Sequence, residues 1–123
     1  MALTHIRVIT VYVADQDAAL AHYRDVLGFE IRRDEPMGSS RWIEAALPGD
    51  RAVLMLASAG AFEREPGGFA PCTLECDDAV ATRAELAARG ADVSAIEAEH
   101  WGTHFYASDP DGNRFLVHET PAE

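Results

Sequence analysis

Val13-Ala14-Asp15 opens an alanine-rich stretch that runs to Leu27-Gly28-Phe29, and Cys76-Asp77-Asp78 opens another that runs to Arg89-Gly90-Ala91. Each starts behind an aspartate suited to capping a helix and stops at a glycine suited to ending one. Asp15 to Gly28 spans thirteen residues and Asp78 to Gly90 spans twelve. An extended run follows each stretch. Repetition of this kind sets the architecture, because each copy is one structural unit and half-sites on the two copies meet where the units meet.

Working outward, Ile6 to Val13 is β-branched and apolar and reads as a strand. Leu20, Tyr23 and Leu27 share one face of the helix behind it. Phe29 to Arg33 is a strand, Pro36 to Ser40 a loop, Arg41 to Leu47 a strand, Pro48-Gly49-Asp50 a turn and Ala52 to Ala57 a strand. Pro66-Gly67-Gly68 is the joint. The same order then recurs: a strand over Cys72 to Cys76, a helix over Asp78 to Arg89, an extended Ala91 to Ile96, a loop over Glu97 to Gly102, and strands at Thr103 to Ala107 and Arg114 to His118. Asp109-Pro110-Asp111-Gly112-Asn113 is turn chemistry. The expected fold is α+β: one domain over 1–123, made of two strand-helix-strand-strand-strand modules at 4–60 and 69–120.

Composition narrows the function. The 123 residues carry 21 acidic and 10 basic side chains, a net charge of −11, and 48% are hydrophobic. Nucleic acid and anionic membranes call for a basic footprint, so neither is expected as a partner. No apolar run is long enough to span a bilayer, and Met1-Ala2-Leu3-Thr4-His5-Ile6-Arg7 lacks the marks of a signal peptide. A cytoplasmic protein is the expectation. Cys72 and Cys76 lie on one predicted strand, roughly 13 Å apart, too far for a disulfide.

Strand alternation divides the side chains between two faces. Ile9, Val11 and Val13 share one, and Val8, Thr10 and Tyr12 the other. Cys72, Leu74 and Cys76 oppose Thr73 and Glu75, while Phe115 and Val117 oppose Arg114, Leu116 and His118. The uniformly apolar face suits packing under helices. The mixed face suits a ligand, and the apolar Tyr12, Met55 and Leu116 on it argue against a surface that merely meets water.

The repeat, together with Tyr23-Arg24-Asp25-Val26-Leu27-Gly28-Phe29 and Asp109-Pro110-Asp111-Gly112-Asn113, resembles the vicinal oxygen chelate superfamily, which includes glyoxalase I, bleomycin and fosfomycin resistance proteins and extradiol dioxygenases. The resemblance covers about residues 5–119. It implies a curved mixed sheet from each module, the two meeting as a cup, and a homodimer, because many members complete their cups across a two-fold axis. In metal-dependent members the implied ligands are histidine on the first strand and glutamate on the fourth strand of each module. Those places fall on Val8, Pro71, Met55 and Leu116, and the neighbours of Met55, Leu54 and Leu56, are no better. None of these is a ligand for a divalent ion. No cofactor is expected, and a divalent metal could be held only by displaced ligands.

Other histidines do not obviously replace the missing ones. His5 has the wrong parity, His22 reads as a surface residue, and His100 and His104 lack a second pair. His118 is the histidine best placed to bond a ligand. Glu75 is a candidate general base whose pKa an apolar cup would raise, or an exposed carboxylate at the mouth. Glu44 is a similar candidate. Arg114 suits an anionic ligand group or a surface acid. Tyr12, Trp42, Trp101 and Tyr106 suit stacking on a flat ligand. The expected ligand-contacting set is Val8, Thr10, Tyr12, Met55, Thr73, Glu75, His104, Arg114, Leu116 and His118. The expected function is metal-free binding of a small, partly hydrophobic molecule. The alternatives are a lyase, isomerase or dioxygenase of the same superfamily, with Glu75, Glu44 and His118 as catalytic candidates, and a regulatory or structural interaction module.

Overall fold

The computed structural model describes residues 2–122; Met1 and Glu123, the ends of the expected domain, lie outside the described residues. The first module contains β1 (Val8–Val13), the helix α1 (Gln16–Ala21), β2 (Glu30–Met37), β3 (Ser40–Ala46) and β4 (Val53–Ser58). The second contains β5 (Gly68–Glu75), α2 (Ala79–Ala88), β6 (Asp92–Val93), β7 (Glu97–Glu99), β8 (Gly102–Ser108) and β9 (Asn113–Glu119). Each first strand pairs in parallel with its module's last, so the sheets run β1-β4-β3-β2 and β5-β9-β8-β6, with β7 also on β8. The fold is α+β, with two mixed sheets in a curved, open arrangement.

The repeat is visible in the caps. Asp15 accepts from the N–H groups of Asp17 and Ala18 at 2.9 and 3.1 Å, and Asp78 accepts from Ala81 at 3.0 Å. Gly28 and Gly90 close the two helical stretches at φ +85° and +93°, where a β-carbon is disfavoured. The first stretch is one residue longer for a structural reason. α1 passes into a π-helical turn, His22–Val26, in which the Leu27 N–H reaches back to the His22 carbonyl. A π-turn takes up one extra residue without abandoning the helix axis.

Several boundaries differ from those expected. β2 runs through Pro36 to Met37, so the expected loop shrinks to a turn at 38–39 that Gly38 enters at φ +62°. β5 begins at Gly68 rather than Cys72. Of the extended Ala91–Ile96 only Asp92–Val93 is strand, and the expected loop at 97–102 instead holds β7, paired in register from Glu97↔His104 to Glu99↔Gly102. Single-residue patterns do not reveal such short edge pairings, because partner hydrogen bonds create them.

The apolar faces merge into one interior beneath the helices. Val11, Val13, Ile43, Leu54, Leu56, Tyr23 and Phe29 of the first module pack with Phe115 of the second, and Leu74 joins this cluster to Leu86, Phe105, Ala107 and Val117. Tyr23 is completely buried, edge-on to Phe29 and Phe115 at 5.6 and 6.1 Å. Its hydroxyl donates to Asp109 Oδ2 at 2.8 Å. Asp109 also accepts from the Asp111 and Asn113 N–H groups and from Asn113 Nδ2, which bonds the Tyr12 carbonyl as well. The helix-end motif and the turn motif are therefore two sides of one contact that ties the modules together. Cys72 and Cys76 are free thiols at the edges of these clusters.

Candidate functional site

The face of each sheet turned away from the helices carries the candidate residues. In the first sheet, Val8, Thr10 and Tyr12 lie beside Val53, Met55 and Ala57, and Met55 lies beside Glu44. Leu54 and Leu56, the alternatives to Met55, are in the core. Glu44 is 5% exposed. Burial works to raise its pKa, but the Trp42 indole N–H at 2.6 Å and the Arg7 guanidinium at 3.0 Å outweigh it and hold the carboxyl below its ordinary value. Arg33 stands 3.7 Å away on the same side. A carboxylate so neutralised is a poor proton acceptor, and its geometry is that of a structural anchor.

In the second sheet, three rows run across β5, β9 and β8: Thr73, Leu116 and Tyr106; Glu75, His118 and His104; and Phe69, Arg114 and Ser108. Phe69, Pro71, Thr73 and Glu75 are all exposed along β5, so this face is open. Trp101, at the tip of the β7–β8 hairpin, lies flat over two imidazoles. Its ring centroid is 4.6 Å from that of His104, at 24° between planes, and 5.7 Å from that of His118, at 15°. Trp101 remains 42% exposed, leaving one side of a large π surface uncovered. Gly102 permits this arrangement: it starts β8 at φ +143°, and a β-carbon there would fall on His118 Nε2.

His118 holds the tip in place. Its Nδ1 meets Glu75 Oε1 at 2.7 Å and its Nε2 meets the Trp101 carbonyl at 2.8 Å. Both partners are acceptors, so two N–H bonds form only from the imidazolium. The Glu75 bond, helped by the Trp101 carbonyl, raises the His118 pKa. Of the two readings of Glu75, the exposed carboxylate holds and the raised pKa of a desolvated general base does not. Its carboxyl is pulled down to about 2, because it is exposed and bonded to His118 and to the Thr120 hydroxyl and N–H, rather than desolvated.

His104 is 3% exposed, with Nε2 2.9 Å from Glu97 and Nδ1 buried without a partner. His22 is not the surface residue expected, because its Nε2 is likewise buried without a partner and burial lowers its pKa. Arg114 places its guanidinium 4.6 Å from the Phe69 centroid and 4.4 Å from that of Tyr106. No surface acid pairs with it among the described residues.

The structure thus gathers Thr73, Glu75, His104, Arg114, Leu116 and His118 on one surface, and Val8, Thr10, Tyr12, Met55 and Glu44 on another. Among the described residues, no side-chain hydrogen bond or ring contact connects the two groups. Sequence reasoning missed Phe69, which alternates correctly with Thr73 but is separated from it by a register shift around Pro71. It also missed Phe62 and Arg64, whose linker position gives no periodic signal although both meet the Tyr12 ring. Two clefts among the described residues lie between the modules, around Leu47 and Leu74. One of about 190 Å³ is lined by Ile9, Phe29, Leu47, Cys72 and Leu74, and a wider one of about 440 Å³ opens between Leu47–Asp50 and Thr73–Glu75.

The positions that hold metal in relatives do not fit an ion here. Val8, Met55 and Leu116 present hydrocarbon or thioether groups, and Pro71 lies in the register shift of β5. Among the described residues, no three of histidine, cysteine, aspartate and glutamate are grouped to hold a metal ion. Among the described residues, no helix is long and apolar enough to cross a membrane.

Known proteins match this arrangement along nearly its full length. The sequence profile of the Glyoxalase/Bleomycin resistance protein/Dioxygenase superfamily matches residues 3–117. TnmS3, an antibiotic binding protein from Streptomyces sp. CB03234, is 31% identical with a TM-score of 0.89, the match covering 98% of this chain and 99% of TnmS3. A superfamily member from Sphaerobacter thermophilus is 30% identical with a TM-score of 0.89, over 95% of this chain and 98% of its own. The uncharacterized protein YetH of Bacillus subtilis is 29% identical over 119 residues, 95% of this chain and 99% of YetH.

Proposed function

Because this chain belongs to the glyoxalase/bleomycin resistance protein/dioxygenase superfamily, we propose that it binds a small, flat, partly hydrophobic molecule without a metal ion. The uncovered side of Trp101 carries this reading. A tryptophan fixed from beneath by two imidazoles offers stacking area at little cost in side-chain entropy. Leu116, Thr73 and Tyr106 extend the surface inward, and Arg114 bounds its far end. Glu44 and Glu75 are both committed as ionised partners of cations, which favours binding over acid-base catalysis. The description of TnmS3 as an antibiotic binding protein supports binding of a small molecule. Phe69 and Trp101, 68% and 42% exposed, and the separation of the two candidate surfaces favour a homodimer in which a second copy closes the cup. The protein works as a soluble binder in the cytoplasm.

The test is binding of flat aromatic compounds to chelator-treated protein, followed by titration calorimetry. Trp101→Ala is expected to weaken binding about tenfold to a hundredfold while leaving the circular dichroism spectrum unchanged. Equal affinity in the variant, or binding that appears only when a divalent ion is restored, would defeat the proposal.

A further inference from the structure

All ten basic side chains of this chain are arginines. Eight of them reach a carboxylate, a carbonyl or a ring nitrogen, as Arg7, Arg32, Arg51 and Arg83 illustrate. Among the described arginines, only the side chains of Arg64 and Arg114 have no hydrogen-bond or ion-pair partner. Both lie on aromatic rings instead: Arg64 is 5.7 Å from the Tyr12 centroid, and Arg114 is against Phe69 and Tyr106. In a chain with 21 acidic residues and a net charge of −11, an arginine side chain that stacks on aromatic rings and forms no ion pair is a specific arrangement. Both also border the same seam, where Asn113 bonds the Tyr12 carbonyl and the Gly67 N–H.

Stacking orients a guanidinium by its faces and leaves its edge donors free to form a fork. A carboxylate matches that fork with two parallel bonds. On the open face, Arg114 sits at one end of the aromatic surface and Leu116 lies between it and the Trp101 platform. We propose that the ligand is an anionic aromatic molecule whose carboxylate or equivalent planar anion is received by Arg114 while its ring system lies towards Leu116 and Trp101. This specificity rests on the binding function proposed above. It also gives the acidic surface a role: acids elsewhere repel stray anions, so only one that fits the fork is retained.

The probes are 2-naphthoate and its uncharged isostere 2-naphthamide, titrated calorimetrically into the wild-type protein, Arg114→Gln, Arg114→Lys and Trp101→Ala. Wild type is expected to hold the carboxylate roughly tenfold more tightly than the amide. Arg114→Gln should erase that preference by weakening the carboxylate about tenfold more than the amide, and Arg114→Lys should keep part of it. If both probes bind wild type equally and Trp101→Ala still abolishes binding, the anion specificity is wrong and the stacking function stands. A preference that survives Arg114→Gln also overturns the assignment, and Arg64→Gln then identifies the competing cation. If neither probe binds any form, the specificity and the binding function fall together.

Discussion

Replacement of Asp109 by alanine is expected to cost about 3–5 kcal/mol of folding stability. The carboxylate is 5% exposed and accepts four hydrogen bonds, from the Tyr23 hydroxyl, Asn113 Nδ2 and the N–H groups of Asp111 and Asn113. Its loss leaves the Tyr23 hydroxyl inside an aromatic cluster with nothing to donate to, and an unsatisfied buried donor costs more than the missing bond. Burial and the nearby Asp109 carboxylate raise the Tyr23 pKa, so the phenol stays protonated and can serve only by donating. Asp109→Asn retains an acceptor and should cost less. Tyr23→Phe should cost less again, because it removes the donor with the bond. Chemical denaturation of the three variants and of the Tyr23→Phe/Asp109→Ala double variant checks this through the coupling energy. A loss below about 1 kcal/mol for Asp109→Ala, smaller than the value of a single ordinary buried bond, would mean that the modules are not joined through this contact.

Gly102→Ala is expected to strike both stability and binding. The residue lies at φ +143°, and its added carbon would meet His118 Nε2 and approach the Glu119 carbonyl oxygen to 2.5 Å. The backbone conformation alone disfavours a side chain by about 1–3 kcal/mol. To relieve the collision, His118 must leave the Trp101 carbonyl, and the hairpin tip loses its tether. Affinity for a flat aromatic ligand should fall at least about tenfold. The His118 titration, followed by NMR, supplies an independent readout. Its pKa is raised in the native protein by Glu75 and by the Trp101 carbonyl, so the imidazolium's contribution is complete below about 6.5 and fades as pH rises through the native value. In Gly102→Ala that value should move back towards 6.5. Glu75, depressed to about 2, sets the acid limit, because the pair weakens as pH falls from the ordinary carboxylate range towards 2. An unchanged His118 titration in the variant would show that Trp101 is held by something else.

The architecture was legible because it rests on features that are local and repeated. Asp15 and Asp78 cap, Gly28 and Gly90 stop, and alternation divides Val8, Thr10 and Tyr12 from Ile9, Val11 and Val13. Even the one-residue difference between the two helical stretches had a structural counterpart in the π-turn at His22–Val26. The environment of the site residues was less legible, because pKa and hydrogen bonding depend on partners distant in the chain. Parity put Glu75 on the same face as His118, as the register shows, but a raised pKa would have had the wrong sign: His118 is 43 residues away, and no local pattern announces the pairing. Likewise, the sequence shows Tyr23 and Asp109 as parts of separate motifs, 86 residues apart. Trp101 stood out only as an aromatic in a loop. The β7–β8 pairing that turns that loop into a rigid hairpin comes from backbone bonds that composition does not encode.

The most direct test is a two-dimensional amide NMR titration of chelator-treated protein with a flat aromatic compound. The account predicts that the Trp101 indole signal and the amides of Thr73, His104, Tyr106 and Leu116 shift together and saturate with no metal added. Shifts confined instead to Ile9, Phe29, Leu47 and Cys72 around the cleft at the module joint, or shifts that require a divalent ion, would contradict it.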